Sequence, residues 1–219
     1  MKKRILAVFG AGGLARELLE LARIINNKEN RWYDFFFVDK QSSDSSENDT
    51  KIVTFEYIQD RKDILIEAIV AIGQPLIRKR IYKELEEKNI NIVSLIHPDI
   101  VIPKSTKIGK GVVIQSGCFI SCNVIIEDYV YIQPNCNIGH DVVLKKGCMI
   151  SGLGNLAGAV VIGAFSFIGL SCAIKEGVSI GDNSIVGMGS IVFKDIPDEV
   201  IALGNPARGI AKNNDGIVR

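Results

Sequence analysis

From Ile102 to Val192, every sixth position holds isoleucine, leucine or valine without interruption. A second series, four residues after each of these, carries small or β-branched side chains. It includes Thr106, Val112, Cys118, Val124, Cys136, Gly154, Ser166, Cys172 and Ser190. One large and one small inward residue per hexad predict a parallel β-helix, whose coils bury their apolar positions only by stacking. Three hexads close one triangular coil. Residue i+18 is therefore expected one strand spacing, about 4.8 Å, from residue i.

The chain before this repeat has another rhythm. Arg4 to Phe9 reads as a buried strand, and Leu14, Leu18, Leu21, Ala22 and Ile25 then fall on one helical face. Phe35 to Val38 is a second strand ending at Asp39, and the serine- and acid-rich residues 40–51 are expected to form a mobile loop. Glu67 to Ile72 is a third strand. Pro75 opens a helix with Ile77, Ile81 and Leu85 on its apolar face, and Asn91 to Ile96 is a fourth strand. Alternating strands and helices imply a small parallel α/β sheet. His97-Pro98 marks the change of pattern, which gives domains of residues 1–97 and 98–219, the second ending in a tail from Pro197.

Composition narrows the partners. The 219 residues carry a net charge of +1 with both signs mixed, which leaves no footprint for nucleic acid or an acidic membrane surface. No apolar run approaches the roughly 18 residues that would span a bilayer. The opening Met1-Lys2-Lys3-Arg4 and its apolar stretch resemble a signal peptide. Gly10 to Gly13 and the charges Arg16, Glu17 and Glu20 interrupt it, so a cytoplasmic protein is expected. Cys118, Cys136, Cys148 and Cys172 all fall in the small inward series, where thiols act as compact apolar filler. Their spacing matches no metal pattern, and a reducing cytosol keeps them as thiols. No metal is expected.

Two places carry chemistry. Gly10-Ala11-Gly12-Gly13-Leu14-Ala15 fits G-x-G-x-x-A between a strand and a helix, where backbone N–H groups and the helix N-terminus attract an anion. Asp39 would then meet a ribose or base. Four strands make one mononucleotide half, so a nucleotide-linked ligand fits better than a dinucleotide. The bland alternative is a tight turn with no ligand. Of the two histidines, His97 reads as structural, whereas His140 in Ile138-Gly139-His140-Asp141 points out of the prism, next to a carboxylate that can orient it. Stacking places Cys122 and Gly158 one coil to either side of it. Gly158 would leave an open slot and a bare N–H able to polarise a carbonyl. Cys122 raises the alternative of a covalent Cys–His pair.

The hexads, Gly139-His140-Asp141, Gly204-Asn205-Pro206-Ala207-Arg208, the glycine loop, and Ala71-Ile72-Gly73-Gln74-Pro75 with Arg78 together resemble the sugar N-/O-acetyltransferases of the NeuD/PglD/PerB type. The resemblance covers nearly the whole chain. It implies an α/β N-terminal Rossmann-like domain that binds a nucleotide sugar, followed by an all-β left-handed parallel β-helix that forms a homotrimer. It further implies His140 as general base tuned by Asp141, and Gly158, Leu170, Met188, Pro206 and Arg208 as contacts to acetyl-CoA. Gly10, Gly12, Gly13, Leu14, Asp39, Gly73 and Gln133 would contact the sugar nucleotide. Two departures stand out. Leu14 replaces a histidine that relatives often carry in the glycine loop, and Gln133 replaces an asparagine ahead of the histidine motif.

The reaction implied is acetyl transfer from acetyl-CoA to the amine of a nucleotide-activated amino sugar, by direct attack and without a covalent intermediate. O-acetylation of a sugar such as sialic acid is the alternative. A non-catalytic trimer that binds a nucleotide sugar is the other. Outward aromatics at 119, 129, 131, 165 and 167 are expected to be exposed on a single chain and so to favour self-association.

Overall fold

The computed structural model describes residues 3–40, 43–47, 49–59 and 64–214. The chain divides into two compact units, one of residues up to 73 with 77–95 and the other of 74–76 with 96 onwards.

The first unit runs β1 (Lys3–Phe9), α1 (Gly13–Glu29), β2 (Asp34–Val38), β3 (Ser43–Glu47), β4 (Thr50–Val53), α2 (Phe55–Gln59), β5 (Ile64–Val70), α3 (Pro75–Glu87) and β6 (Asn91–Ile92). Its sheet is ordered β3-β4-β2-β1-β5-β6. The strands pair in parallel except for the β3–β4 hairpin. β1 is central, which is why Ile5 to Phe9 form an unbroken apolar run buried on both faces. Strand order reverses between β1 and β5, and in such sheets ligands bind beyond the carboxyl ends of the strands at that point. Gly10 and Ile72 stand at that place.

Three expectations change here. Residues 43–47 and 50–53 form strands β3 and β4 rather than a mobile loop, because backbone pairing at a sheet edge does not require apolar side chains. The stretch Asn91 to Ile96 is not one strand. Asn91–Ile92 closes the first sheet, and Leu95–Ile96 (β7) joins the β-helix. Helix α3 buries Arg78, Tyr82 and Leu85, whereas Ile77 is exposed and, with Ile81, lines a cleft.

The second unit is a three-faced parallel β-helix of two-residue strands. Each strand pairs with the strand eighteen residues on, as Phe119 with Asn137 and Asn137 with Asn155. The Val113 face gathers eight strands, and the Phe119 and Ile125 faces gather five each. The large inward residues Ile114, Ile120, Ile126, Ile132, Ile138, Leu144 and their successors form one continuous core. The Val113 face also carries an antiparallel hairpin of Val200–Gly204 and Ala207–Lys212.

The small inward residues do more than fill space. The side chains of Thr106, Cys118, Cys136, Ser166 and Cys172 each donate a hydrogen bond to the carbonyl fifteen residues on, at distances of 2.6 to 3.2 Å. These carbonyls sit at corners, where the backbone turns out of its ladder and needs other donors. The outward aromatics are likewise not uniformly exposed. Phe119 is 60% exposed, but Tyr129 and Tyr131 are buried at 0% and 1%, and Phe165 and Phe167 are half-buried. Tyr131 is stacked in register between Val113 and Met149, and Lys110 and Lys146 lie over the ring of Tyr129.

Candidate functional site

In the first unit, the glycines divide by what surrounds them. Gly10 has φ +114, and a Cβ there would lie 2.9 Å from the Ala71 carbonyl oxygen, so packing alone demands glycine. Gly12 and Gly73 have nothing within 4 Å of a built Cβ, and Gly13 meets only the tip of Arg16 at 3.9 Å. Gly12 also has an ordinary φ of −83, so neither backbone strain nor crowding explains it. Gly12 caps α1 without a side-chain hydrogen bond, and the first turn holds no acidic residue. That leaves the helix's positive end open to an anion. Beside it lies a cleft of about 410 Å³ lined by Gly10, Asp39, Lys40, Phe55, Ile77 and Arg80, among others. Asp39 is exposed at the tip of β2, and its carboxylate accepts the Lys40 N–H. Arg78 is fully buried and donates to the carbonyls of Ile72 and Gly73 at 3.1 and 3.4 Å, which ties down the β5–α3 loop.

In the second unit, His140 and Gly158 occupy equivalent places on the corner that follows the Asn137 face, one coil apart. A Cβ built on Gly158 would collide with Cε1 of the imidazole and stand 2.5 Å from Nε2. The ring therefore lies over the glycine and buries it. The slot expected to be open is filled by the imidazole itself. The Ala159 N–H donates to the His140 carbonyl at 2.8 Å, and the Asp141 N–H to the Cys122 carbonyl at 3.1 Å, which locks the register of the corner. Gly139 is needed for the same close approach, since a Cβ there would lie 2.8 Å from the Gly158 nitrogen. Among the described residues, the Gly158 N–H has no hydrogen-bond acceptor.

The imidazole Nδ1 lies 2.8 Å from Asp141 Oδ2, and Asp141 Oδ1 accepts the Asn123 carboxamide N–H at 3.0 Å. The hydrogen bond from His140, then that from Asn123, holds the Asp141 carboxyl below the usual aspartate range. A carboxylate at Nδ1 assigns that nitrogen the proton and leaves Nε2 with the lone pair. Sequence reasoning missed Asn123. It stands eighteen residues before Asp141, so the stacking rule that paired His140 with Gly158 could have found it.

The other expected contacts are spread out. Gln133, Leu170 and Met188 lie on the corner that follows the Val113 face, a different edge of the prism from His140. Gln133 Oε1 accepts the Gly152 N–H at 3.2 Å, while Leu170 and Met188 are 50% and 76% exposed. Pro206 and Arg208 are exposed on the terminal hairpin, and Leu14 is half-buried at the start of α1. Cys122 is exposed one coil before His140. Among the described residues, no group of three or more His, Cys, Asp or Glu could hold a metal ion. No helix there is long and apolar enough to cross a membrane.

Comparison with known proteins completes the picture. The PglD N-terminal domain family matches residues 5–85, and the hexapeptide repeat of succinyl-transferase matches residues 159–194. The galactoside O-acetyltransferase of Escherichia coli is 52% identical over 56 residues, which are 26% of this chain and 28% of that protein. The chain thus matches about a quarter of that curated relative's length. Solved structures align over nearly the whole chain. The acetyltransferase domain of PglB from Neisseria gonorrhoeae, in complex with acetyl coenzyme A, superposes with a TM-score of 0.87 at 27% identity, covering 95% of this chain and 100% of that one. PerB from Caulobacter crescentus, in complex with CoA and GDP-perosamine, gives 0.83 at 26% identity, covering 94% and 97%. The chain thus carries a PglD-type N-terminal domain and a hexapeptide repeat, and over nearly its whole length it is similar to the acetyltransferase domain of PglB and to PerB.

Proposed function

We propose that this protein transfers the acetyl group of acetyl-CoA to the amine of a nucleotide-activated amino sugar. The observation that carries the reading is the corner at His140, where a carboxylate holds Nδ1 and Nε2 is left to accept a proton. The sugar nucleotide binds the first unit, its phosphates at the open N-terminus of α1 and its nucleoside toward Asp39 and the adjoining cleft. The GDP-perosamine held by PerB supports a ligand of that class.

The amine attacks the thioester carbonyl carbon, and His140 Nε2 takes the proton lost from nitrogen as the C–N bond forms. The oxygen gains negative charge, and its donor in this scheme is the Gly158 N–H beside the imidazole, which has no acceptor among the described residues. The intermediate collapses by breaking the C–S bond, and the imidazolium returns its proton to the sulfur of CoA. Asp141 stays ionised throughout and stabilises the imidazolium. No metal and no acyl-enzyme enter the scheme. A reaction that consumes acetyl-CoA belongs in the cytoplasm.

We propose a homotrimer, supported by exposed apolar side chains on the corners and faces of the prism, among them Phe119, Leu153, Leu170, Met188 and Phe193. In a trimer, the corner carrying Leu170 and Met188 of one copy can complete the His140 corner of the next, which a single chain cannot do.

The likeness to the E. coli galactoside O-acetyltransferase favours a second reading with a hydroxyl acceptor. An alcohol depends on the base more than an amine does, and the same corner would serve. The test offers UDP-, dTDP- and GDP-amino sugars beside free and CMP-linked sialic acid, with acetyl-CoA, and follows thiol release. Turnover with an amino sugar nucleotide is expected, and turnover only with sialic acid rejects the amine. If acetyl-CoA fails to bind the purified protein by calorimetry, the non-catalytic reading replaces both.

A further inference from the structure

The pair His140–Asp141 is packed on one side only, where the imidazole rests on Gly158. The two side chains are 54% and 51% exposed, so hydrogen bonds rather than burial must fix the carboxylate against the imidazole. One Asp141 oxygen is engaged by His140. The other is engaged by Asn123, one coil earlier on the same corner, at 3.0 Å. Asn123 is anchored in turn, because its N–H donates to Ser105 Oγ, one further coil back, at 3.0 Å. A file of hydrogen bonds thus runs along the corner from Ser105 through Asn123 and Asp141 to the imidazole.

Backbone geometry alone does not call for these residues. Asn123 and Asp141 have φ of 58 and 59, a region where asparagine and aspartate are favoured. Yet Tyr129, Leu153, Ala159, Phe165 and Ser171 take the same conformation at equivalent turns, with φ between 54 and 64. The corners of this prism therefore tolerate other side chains as well, so φ alone does not require the carboxamide and carboxylate at 123 and 141.

We propose that Asn123 is a positioning residue for the acetyl transfer, holding Asp141 in the rotamer that places the proton on Nδ1 of His140. Without the carboxamide, Asp141 rotates toward solvent, and the imidazole samples both tautomers. The form protonated on Nε2 has no lone pair to offer the acceptor. The inference rests on His140 as general base, and its first readout needs no substrate.

That readout is the tautomer of His140 by long-range proton–nitrogen NMR, in a chain with only two histidines. The variant is Asn123→Gly, which retains the positive φ without strain and removes only the carboxamide. The wild type should show Nδ1 protonated at His140, and Asn123→Gly a mixture. With acetyl-CoA and the accepted sugar, kcat should fall about tenfold, as for a lost hydrogen bond to a charged group, with KM for acetyl-CoA within about twofold. Asn123→Asp, which sets two carboxylates together, should lose at least as much. Asn183→Gly removes an asparagine of like backbone conformation from another corner and should change neither readout. Wild-type kcat and an unchanged tautomer in Asn123→Gly overturn the proposal. A mixed tautomer in a protein that acetylates no acceptor upholds the positioning role and rejects the activity instead.

Discussion

The imidazole of His140 rests on Gly158, one coil along the prism, in the space where any other residue would carry its Cβ. A side chain at 158 and the imidazole of His140 in this position exclude one another. In Gly158→Ala the ring must swing away, because the new methyl would stand 2.5 Å from Nε2. We expect kcat to fall by about 10²-fold or more, as for other misplaced catalytic groups. The melting temperature should hold, since the ring can move outward into solvent. Unchanged kcat would show that the ring's seat is irrelevant to turnover.

Removing the proposed base is the more direct intervention. His140→Ala should reduce kcat by about 10²- to 10⁴-fold, the usual contribution of a general base. Sugar-nucleotide binding, measured by calorimetry, should persist. Full turnover in that variant would rule His140 out.

The glycine loop offers a contrast within four residues. Gly10→Ala forces a side chain onto φ +114 and into the Ala71 carbonyl, so the first unit should melt earlier. Gly12→Ala adds a methyl to open space at an ordinary φ, so stability should not change while the affinity for a sugar nucleotide drops. Equal affinities in Gly12→Ala and wild type would reduce the loop to a plain turn.

The inward hydroxyls and thiols should be interchangeable with each other but not with alanine. Ser166 Oγ donates to the Gly181 carbonyl at 2.6 Å and accepts the buried Ser184 N–H at 2.9 Å. Ser166→Ala orphans that N–H and should cost about 1–3 kcal/mol. Ser166→Cys should recover much of the loss, because cysteines fill the same role at 118, 136 and 172. Urea unfolding measures both.

The carboxyl of Asp141 titrates below the usual aspartate range, chiefly through His140 and next through Asn123. A depressed folded value means that its favourable contacts contribute above the ordinary aspartate pKa and are lost as pH falls through the lowered one. Carbon-detected NMR titration should find Asp141 midway at a lower pH than a free aspartate. In His140→Ala the midpoint should move back up. A midpoint unmoved by that substitution would mean that the pair does not form in solution.

Much of this was legible beforehand, and the failures have physical causes. The hexad register fixes which residues stack, so the meeting of His140 and Gly158 follows from numbering alone. What fills the resulting space does not follow, since the reach of an imidazole depends on its rotamer. Tyr129 and Tyr131 point outward as the repeat requires, but burial of an outward residue depends on its neighbours. Strands β3 and β4 escaped notice because a polar edge hairpin has no apolar period. Gly10 and Gly12 look alike as letters, and only the nearby Ala71 carbonyl separates them.

The hairpin of Val200–Gly204 and Ala207–Lys212 carries one last implication. A parallel solenoid ends in unpaired backbone groups that invite another chain to continue the stack. The reversed strand Ala207–Lys212 occupies the outer edge of Val200–Gly204, so no further coil can pair with that strand on the Val113 face. Removing Ala207–Lys212 should therefore bare that edge and raise self-association, which sedimentation would measure.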